Sequence, residues 1–365
     1  MNFENLKQYL GNAELTVVDV MRKIDNNNKG ILYIVDENGK LLGSLTDGDI
    51  RRWIIRTGDL KGLAGQIMYT DTNYVLESEE RQALEYMSCE GLNSVPVLNA
   101  ERVIIDIIFY DYGNLGGQDK NHDALSGTPV VIMAGGKGTR LYPYTKILPK
   151  PLIPIGEIPI LERIIGKFKT YGANEFYLTV NYKKEMIKSY FNEINPDYVI
   201  HYVEEDIPLG TAGSIRLIEK DFNTPLIISN CDTLIETDYK KVLDYHKESG
   251  NAMTIISALK NTIIPYGVIH SQEHGRIFSM EEKPSMSYFI NTGMYVIGPE
   301  YLKKIPENRV YHMTDLAEQL IADSCKVGMF PISENSFLDM GEFEEMKKME
   351  ERINHNLISP QEKNI

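Results

Sequence analysis

Cysteine is scarce in this sequence. Cys89, Cys231 and Cys325 lie far apart, without metal-ligand spacing. That excludes a disulfide framework and a thiolate zinc site, and fits reduced thiols in a cytoplasmic protein. Long apolar runs are missing too. None approaches the roughly 20 residues that a helix needs to cross a bilayer; Ile104–Ile108, for example, is cut by Asp106. The opening MNFENLKQYLGNAE has no basic start leading into an apolar core, so it does not read as a secretory leader. Positive charge is in short supply: 38 Lys and Arg face 52 Asp and Glu, a formal net charge of −14. Nucleic-acid phosphates and anionic membranes would repel such a chain, so neither is an expected partner. What is present suits a soluble globular protein. Apolar residues make up 42% of the 365 positions, which excludes whole-chain disorder, and the length suggests two domains.

The strongest loop signal is DYGNLGGQDKNHDALSGTP, residues 111–129, rich in Gly, Asn and Asp and without apolar periodicity. It divides the chain into 1–118, a linker at 119–128, and 129–365. The first part holds a degenerate repeat. In residues 18–51 a helical pattern (Val20, Met21, Ile24) is followed by strand Ile31–Val35, a D-E-N-G turn and strand Leu41–Leu45; Asp47 opens a further helix. Residues 80–112 repeat the order with Ala83, Leu84 and Met87, then SVPVL and VIIDIIF. One copy is too small to bury its own core, so two should pack together.

This repeat resembles a tandem CBS-domain pair, an α+β module, over about residues 14–113. Its G-x-x-T-x-x-D element is Gly43, Thr46 and Asp49. The resemblance implies an adenine or other nucleotide, with the Thr46 hydroxyl on a phosphate and the Asp49 carboxylate on ribose hydroxyls. The alternative is that Thr46 and Asp49 cap the next helix. The second copy has Asp111 without the matching Thr, so at most one nucleotide site is expected. Such a pair would serve regulation or assembly of a homo-oligomer.

The second part alternates strand and helix: PVVIMAG, PILERIIGKFKTYG, EFYLTV, KKEMIKSYF, YVIHYVEE, SIRLIEKDF, PLIISNCD. That alternation predicts an α/β domain with a mostly parallel, Rossmann-like sheet. The last stretch, EFEEMKKMEERINHNL, places Phe343, Met346, Met349, Ile353 and Leu357 at helical spacing, a packing stripe.

After the strand PVVIM comes AGGKGTRLYPYTKILPKP, residues 134–151. Glycines at 135, 136 and 138 let backbone amides approach an anion. Lys137, Arg140, Lys146 and Lys150 concentrate positive charge in an acidic chain, as a triphosphate requires. The loop lacks the G-K-S/T ending of a P-loop and the G-x-G-x-x-G of a dinucleotide site.

The longer pattern G-G-x-G-T-R-L-x-P-x-T-x-x-x-P-K-P resembles the sugar-1-phosphate nucleotidyltransferases, from about Pro129 to Glu350. The resemblance implies transfer of a nucleotidyl group from an NTP to a sugar 1-phosphate, releasing pyrophosphate, with Mg²⁺. Ala134, Gly135, Gly136, Lys137, Gly138 and Thr139 would wrap the nucleotide. Arg140 would hold the departing pyrophosphate, and Lys150 would face the α-phosphate. Asp232, ending LIISNCD, and Asp339, in FLDMGEFEEM, match the metal ligands; two carboxylates plus phosphate oxygens suit Mg²⁺. On the sugar side the matching elements are Y-G-V (Tyr266, Gly267), E-K-P (Glu282, Lys283) and N-T-G (Asn291, Thr292, Gly293). A sugar phosphate is already ionised near pH 7 and needs no general base. Catalysis then rests on Lys150, Arg140, Lys283 and the metal, by direct displacement without a covalent intermediate. His201, His270 and His312 are expected to be structural.

Base choice falls to VEEDIPLGTAGSI, residues 203–215. Guanine presents N1–H and N2–H₂ side by side, which one carboxylate can accept together. Glu204 or Glu205 therefore favours GTP, with Gly210 in the same loop. Glu204 is the expected reader because it directly follows the strand. The segment resembles that of mannose and heptose guanylyltransferases. A CBS pair ahead of a transferase resembles the guanylyltransferases of bacterial legionaminic acid biosynthesis, which implies GTP and α-glucosamine 1-phosphate giving GDP-glucosamine. Mannose or heptose 1-phosphate, a uridylyl- or thymidylyltransferase, and a catalytically silent regulatory protein remain the alternatives.

Overall fold

A computed structural model describes residues 6–27, 29–110 and 122–357. The chain forms two compact units, Met1–Gln118 and Asp119–Ile365.

The first unit contains two similar halves. One has β1 (Leu10–Gly11), β2 (Ile31–Val35) and β3 (Leu41–Thr46); the other has β4 (Val75–Leu76), β5 (Ser94–Leu98) and β6 (Ile104–Phe109). In each, the short first strand runs parallel to the second and the second is antiparallel to the third. Both hairpins even carry a register irregularity at the same place, Ile34/Val35 and Val97/Leu98. The halves share a core in which Tyr9 and Tyr33 meet Leu98, Ile104 and Ile107. The Tyr33 hydroxyl is 2.8 Å from that of Ser94. Neither half closes its own apolar face, which is why the repeat comes as a pair.

Thr46 and Asp49 form a capping box on the helix Asp47–Thr57. The Thr46 amide and hydroxyl both donate to Asp49 Oδ2, at 2.8 and 2.6 Å. Asp49 Oδ1 is bonded by Arg52. Both carboxylate oxygens are thus engaged at the start of the helix, as the cap alternative expects. Asp111, expected in the second copy, lies outside the described residues.

The second unit is built on a seven-stranded sheet. Its strands in chain order are β7 (Val130–Met133), β8 (Pro154–Ile155), β9 (Ile158–Pro159), β10 (Glu175–Val180), β11 (Val199–Glu204), β12 (Leu226–Asn230), β13 (Thr233–Ile235), β14 (Met253–Ile263), β15 (Gly267–Ser271), β16 (Ile277–Glu282), β17 (Ser285–Ile297), β18 (Val327–Ile332) and β19 (Phe337–Asp339). The large sheet runs β11-β10-β7-β12-β17-β14-β18. Only β17 is antiparallel to its neighbours. β7, β10 and β12 read as nearly unbroken apolar runs because both faces are covered. One face packs the helices Ile160–Lys169, Lys184–Ile194 and Tyr239–Ser249 through Ile164, Phe168, Phe191 and Tyr239. The other takes Leu316 and Leu320 of the helix Met313–Ala322. This is the α/β architecture that the strand–helix alternation predicts.

One expected helix is absent. SIRLIEKDF forms a single 3₁₀ turn, Ser214–Leu217, closed by the Ile218 amide on Ile215. The chain then runs irregularly, with a bend at 223–224, into β12; β-branched residues and the approaching Pro225 do not sustain a helix. The final helix, Phe343–Leu357, buries Met349 in the core with Met346 beside it.

Candidate functional site

β7, β10, β11 and β12 are parallel, so their carboxyl ends share one edge, where open α/β sheets place ligand loops. Four segments leave that edge: residues 134–150 after β7, Asn181–Lys183 after β10, Glu205–Gly210 after β11, and Cys231–Asp232 after β12.

The loop after β7 is held tightly at two glycines and left open at the third. A Cβ on Gly135 would sit 2.6 Å from Glu205 Oε1. Gly138 has φ +63°, and a Cβ there would meet the Lys150 and Thr145 side chains at 2.9 Å. Beside Gly136 the space is open. Ala134 donates its amide to the Thr179 carbonyl, continuing the ladder with β10. Lys137, Thr139 and Arg140 are exposed, whereas Lys150 is buried.

The Lys150 ammonium is ion-paired with Asp232, their side chains only 9% and 14% exposed. Asp232 lies beside Asp339 because β13 and β19 pair antiparallel, with Thr233 opposite Asp339. The Met340 amide donates to the Asp232 carbonyl at 2.9 Å. Burial, reinforced by the charge of Asp232, raises the Asp339 carboxyl above its ordinary range, while Lys150 and Arg140 oppose the rise. Arg140 is close: a Cβ on Gly341 would lie 3.0 Å from Asp339 Oδ2 and 3.2 Å from Arg140 Nη1. Two carboxylates pressed together and half-enclosed, with Lys150 and Arg140 around them, are a donor set that calls for a cation. They fit Mg²⁺, which takes one or two protein carboxylates and completes its shell with phosphate and water oxygens. Among the described residues no cluster of three or more His, Cys, Asp or Glu offers an all-protein metal site.

The two glutamates after β11 part company. Glu204 turns outward to Lys184 at 2.6 Å and to Lys188 on the neighbouring helix. Those two lysines hold its carboxyl down at about 2. Glu205 is buried against the glycine loop. Its Oε2 accepts the Leu209 amide at 2.9 Å, and its carbonyl accepts from the Asn181 side chain at 2.7 Å. Burial raises the Glu205 carboxyl, an effect that the Leu209 amide partly offsets. Glu205, the other candidate reader, thus lies against the glycine loop, while Glu204, the expected one, is engaged by two lysines. The pleat does fix its direction, but toward the lysines of Lys184–Ile194. Gly210 is required at φ +80°, since a Cβ there would meet the Tyr311 carbonyl at 2.6 Å.

The expected sugar-side residues divide in two. Tyr266, Gly267, Glu282 and Lys283 lie on or beside the β15–β16 ribbon, all exposed, with Gly267 opposite Glu282 in register. Asn291 and Thr292 instead spend their polar groups inside the sheet. The Thr292 hydroxyl donates to the Ile256 carbonyl at 2.7 Å, at the β14–β17 register shift. The Asn291 amide donates to the Tyr295 hydroxyl at 2.8 Å. At Gly293, within β17, a Cβ would strike the Asn230 side-chain amide at 2.2 Å; the strand there passes close to the end of β12. Asn230, Asn181, Tyr182 and Lys183 were not singled out from the sequence. An Asn-Tyr-Lys run directly after an apolar strand was the available signal.

All three cysteines are free thiols. No helix among the described residues is long and apolar enough to cross a membrane.

Comparison with known proteins bears on the same edge. The CBS domain family matches residues 12–56. A UTP–glucose-1-phosphate uridylyltransferase of Synechocystis sp. is 31% identical over 211 residues, 52% of this chain and 54% of that protein. A mannose-1-phosphate guanyltransferase of Debaryomyces hansenii is 33% identical over 184 residues, 48% of this chain and 51% of that protein. The chain thus spans about half the length of the curated relatives it matches. The crystal structure of HddC from Yersinia pseudotuberculosis aligns with a TM-score of 0.50 at 26% identity, over 62% of this chain and 99% of that one. The nucleotidyl transferase family matches residues 129–356, from β7 through nearly all of the final helix. With that match laid over the loop, the Lys150–Asp232 pair and Asp339, the chain belongs to the nucleotidyl transferase family.

Proposed function

We propose that this protein is a cytoplasmic, Mg²⁺-dependent sugar-1-phosphate guanylyltransferase, joining GTP and α-glucosamine 1-phosphate into GDP-glucosamine and pyrophosphate for legionaminic acid biosynthesis. The observation that carries the reaction class is the buried Lys150–Asp232 pair beside Asp339 and Arg140. A buried cation paired with one carboxylate and close to a second is suited to an α-phosphate and its metal.

The chemistry follows from charge. The sugar phosphate is already a nucleophile, so the obstacle is anion–anion repulsion and charge growth at the α-phosphorus. Lys150, enclosed and fixed, is the group to meet that charge. Exposed Arg140 and Lys137 receive the β- and γ-phosphates over the open space at Gly136. Asp232 and Asp339 would hold Mg²⁺, which would supply Lewis-acid neutralisation of the phosphate oxygens. Lys283 and Glu282 bind the sugar phosphate from the ribbon. No buried histidine or thiol is needed. His246 makes the contrast: it is bonded to Thr254 at 2.9 Å, away from the sheet edge, and burial lowers it to about 4.

Guanine is favoured by Glu205. A buried carboxylate beside Gly135 has no lysine partner to compete with the N1–H and N2–H₂ of the base, whereas Glu204 has two. The Synechocystis relative, named for UTP and glucose 1-phosphate, keeps a uridylyl reading in view; a carboxylate at 205 argues against it, since uracil presents one donor between two carbonyls. The sugar rests on the fusion with a CBS pair, a regulatory or assembly module within a homo-oligomer. Pyrophosphate release across the four NTPs and dTTP, against glucosamine, mannose, heptose and glucose 1-phosphates, tests each level. GTP with glucosamine 1-phosphate should be fastest. Release with no pair overturns the enzyme reading. Another sugar or base preference overturns only that assignment.

A further inference from the structure

We propose that the corner Asn181-Tyr182-Lys183 is a positioning element that locks the phosphate loop and the base loop into one assembly; this rests on the reading of residues 134–150 as the triphosphate loop. Three consecutive residues bridge to both loops. The Asn181 side chain donates to the Glu205 carbonyl at 2.7 Å. The Tyr182 amide donates to the Gly135 carbonyl at 3.4 Å, and its hydroxyl to the Thr145 carbonyl at 3.1 Å. The Lys183 ammonium donates to the carbonyls of Lys146 and Ile147 at 2.7 and 2.8 Å.

Lys183 is held in the left-handed region, φ +52° and ψ 34°, before the helix Lys184–Ile194. A lysine there is uncommon and costs conformational energy, which surrounding contacts must offset. The contacts are of the right kind. Lys146 and Ile147 end the single helical turn Tyr144–Ile147, where carbonyls lack an internal partner and a cation is stabilising. The Lys183 ammonium is engaged by these two carbonyls. It fastens the segment that bears Lys146 and leads, four residues on from it, to Lys150. Gly135 and Thr145–Ile147 belong to the loop after β7, and Glu205 to the loop after β11. One rigid corner after β10 therefore sets the distance between the glycines that approach the phosphates, the lysines that neutralise them, and the carboxylate at the base.

The test uses the full chain with Lys183→Met, Tyr182→Phe and Lys183→Arg, read by hydrogen exchange of residues 139–150 and by steady-state kinetics. Lys183→Met should speed exchange across 144–148. It should also raise the NTP KM about tenfold, as for loss of a charge-assisted hydrogen bond, with the sugar-phosphate KM within about twofold. Tyr182→Phe should do the same more weakly, and Lys183→Arg should restore much of both readouts. Unchanged loop exchange overturns the proposal. So does a parallel rise of both KM values with a lowered Tm, the mark of a merely structural role. If the wild type releases pyrophosphate with no substrate pair, the transferase reading fails, and loop exchange still decides the corner by itself.

Discussion

The proposed phosphate side and the proposed sugar side of this unit are built on opposite principles. On the phosphate side the charges are enclosed: Lys150 and Asp232 are ion-paired and nearly buried, with Asp339 registered beside Asp232 by the β13–β19 pairing. On the sugar side Tyr266, Glu282 and Lys283 stand on or beside a two-stranded ribbon that is not hydrogen-bonded into the large sheet, and every residue of β16 is exposed. Charge that must act on a transition state is worth most when it is desolvated and fixed beforehand. Hydroxyl recognition can wait for the ligand to complete it. The enclosed side should therefore answer to substitution in turnover, and the open side in affinity.

Lys150→Ala is expected to give the largest effect, lowering kcat about 10²–10³-fold with the fold retained. Turnover of a soluble variant near the wild-type value would take Lys150 out of the reaction and erase the distinction between the two sides. Asp339→Asn comes next. It removes one hard-oxygen charge from the proposed metal pair, so the Mg²⁺ concentration for half-maximal rate should rise roughly 10–100-fold or more. A magnesium titration of wild type and variant checks this; rates indifferent to chelators in the wild type would end the metal assignment.

The two glutamates sharpen the comparison within a single dipeptide. Glu205→Gln should shift selectivity from GTP toward UTP or dTTP by about 5–150-fold, because an amide sets a donor against one of guanine's donors in a buried place. Glu204→Gln, which loosens only the outward pair with Lys184 and Lys188, should change selectivity by less than about twofold. Competition assays with mixed NTPs give both numbers. A shift confined to Glu204→Gln would mean that Glu205 serves the Leu209 amide alone.

Much of the scaffold could be read from the sequence because its signals are local. Apolar runs ended by G-G-x-G, by P-K-P and by N-C-D mark strands and their exits, and the repeated helix–strand–turn–strand order marks the two similar halves of the first unit. What escaped is long-range. Two adjacent glutamates look alike in one dimension; only pairing with β10 and the position of Lys184–Ile194 send Glu204 to its lysines and Glu205 to Gly135. N-T-G reads as a polar sugar contact, yet Thr292 is consumed by the Ile256 carbonyl at a register shift that no spacing announces. Thr46 and Asp49 fit a ligand motif and a helix cap with the same atoms, and only the folded geometry displays the capping box. Asn181-Tyr182-Lys183 stands out little in the sequence, since its hydrogen bonds go to carbonyls contributed by other loops.

The smallest effect is expected on the open ribbon. Glu282 is fully at the surface, beside Gly267, where a Cβ would come within 3.0 Å of its Oε2. Its carboxylate can accept from a sugar hydroxyl, but water serves the same group in the free protein, so the net gain on binding is modest. Glu282→Gln keeps one acceptor of the same shape. It should raise the sugar-phosphate KM only about 3–10-fold, leaving kcat, the NTP KM and Tm close to wild type. Initial rates over a matrix of both substrates separate these terms. A fall in kcat approaching that of Lys150→Ala would break the comparison from the other direction. It would mean that the ribbon closes over the sugar before transfer and that Glu282 acts only in the transition state. The ribbon would then be as much a part of the charge-stabilising apparatus as the buried pair beneath the glycine loop.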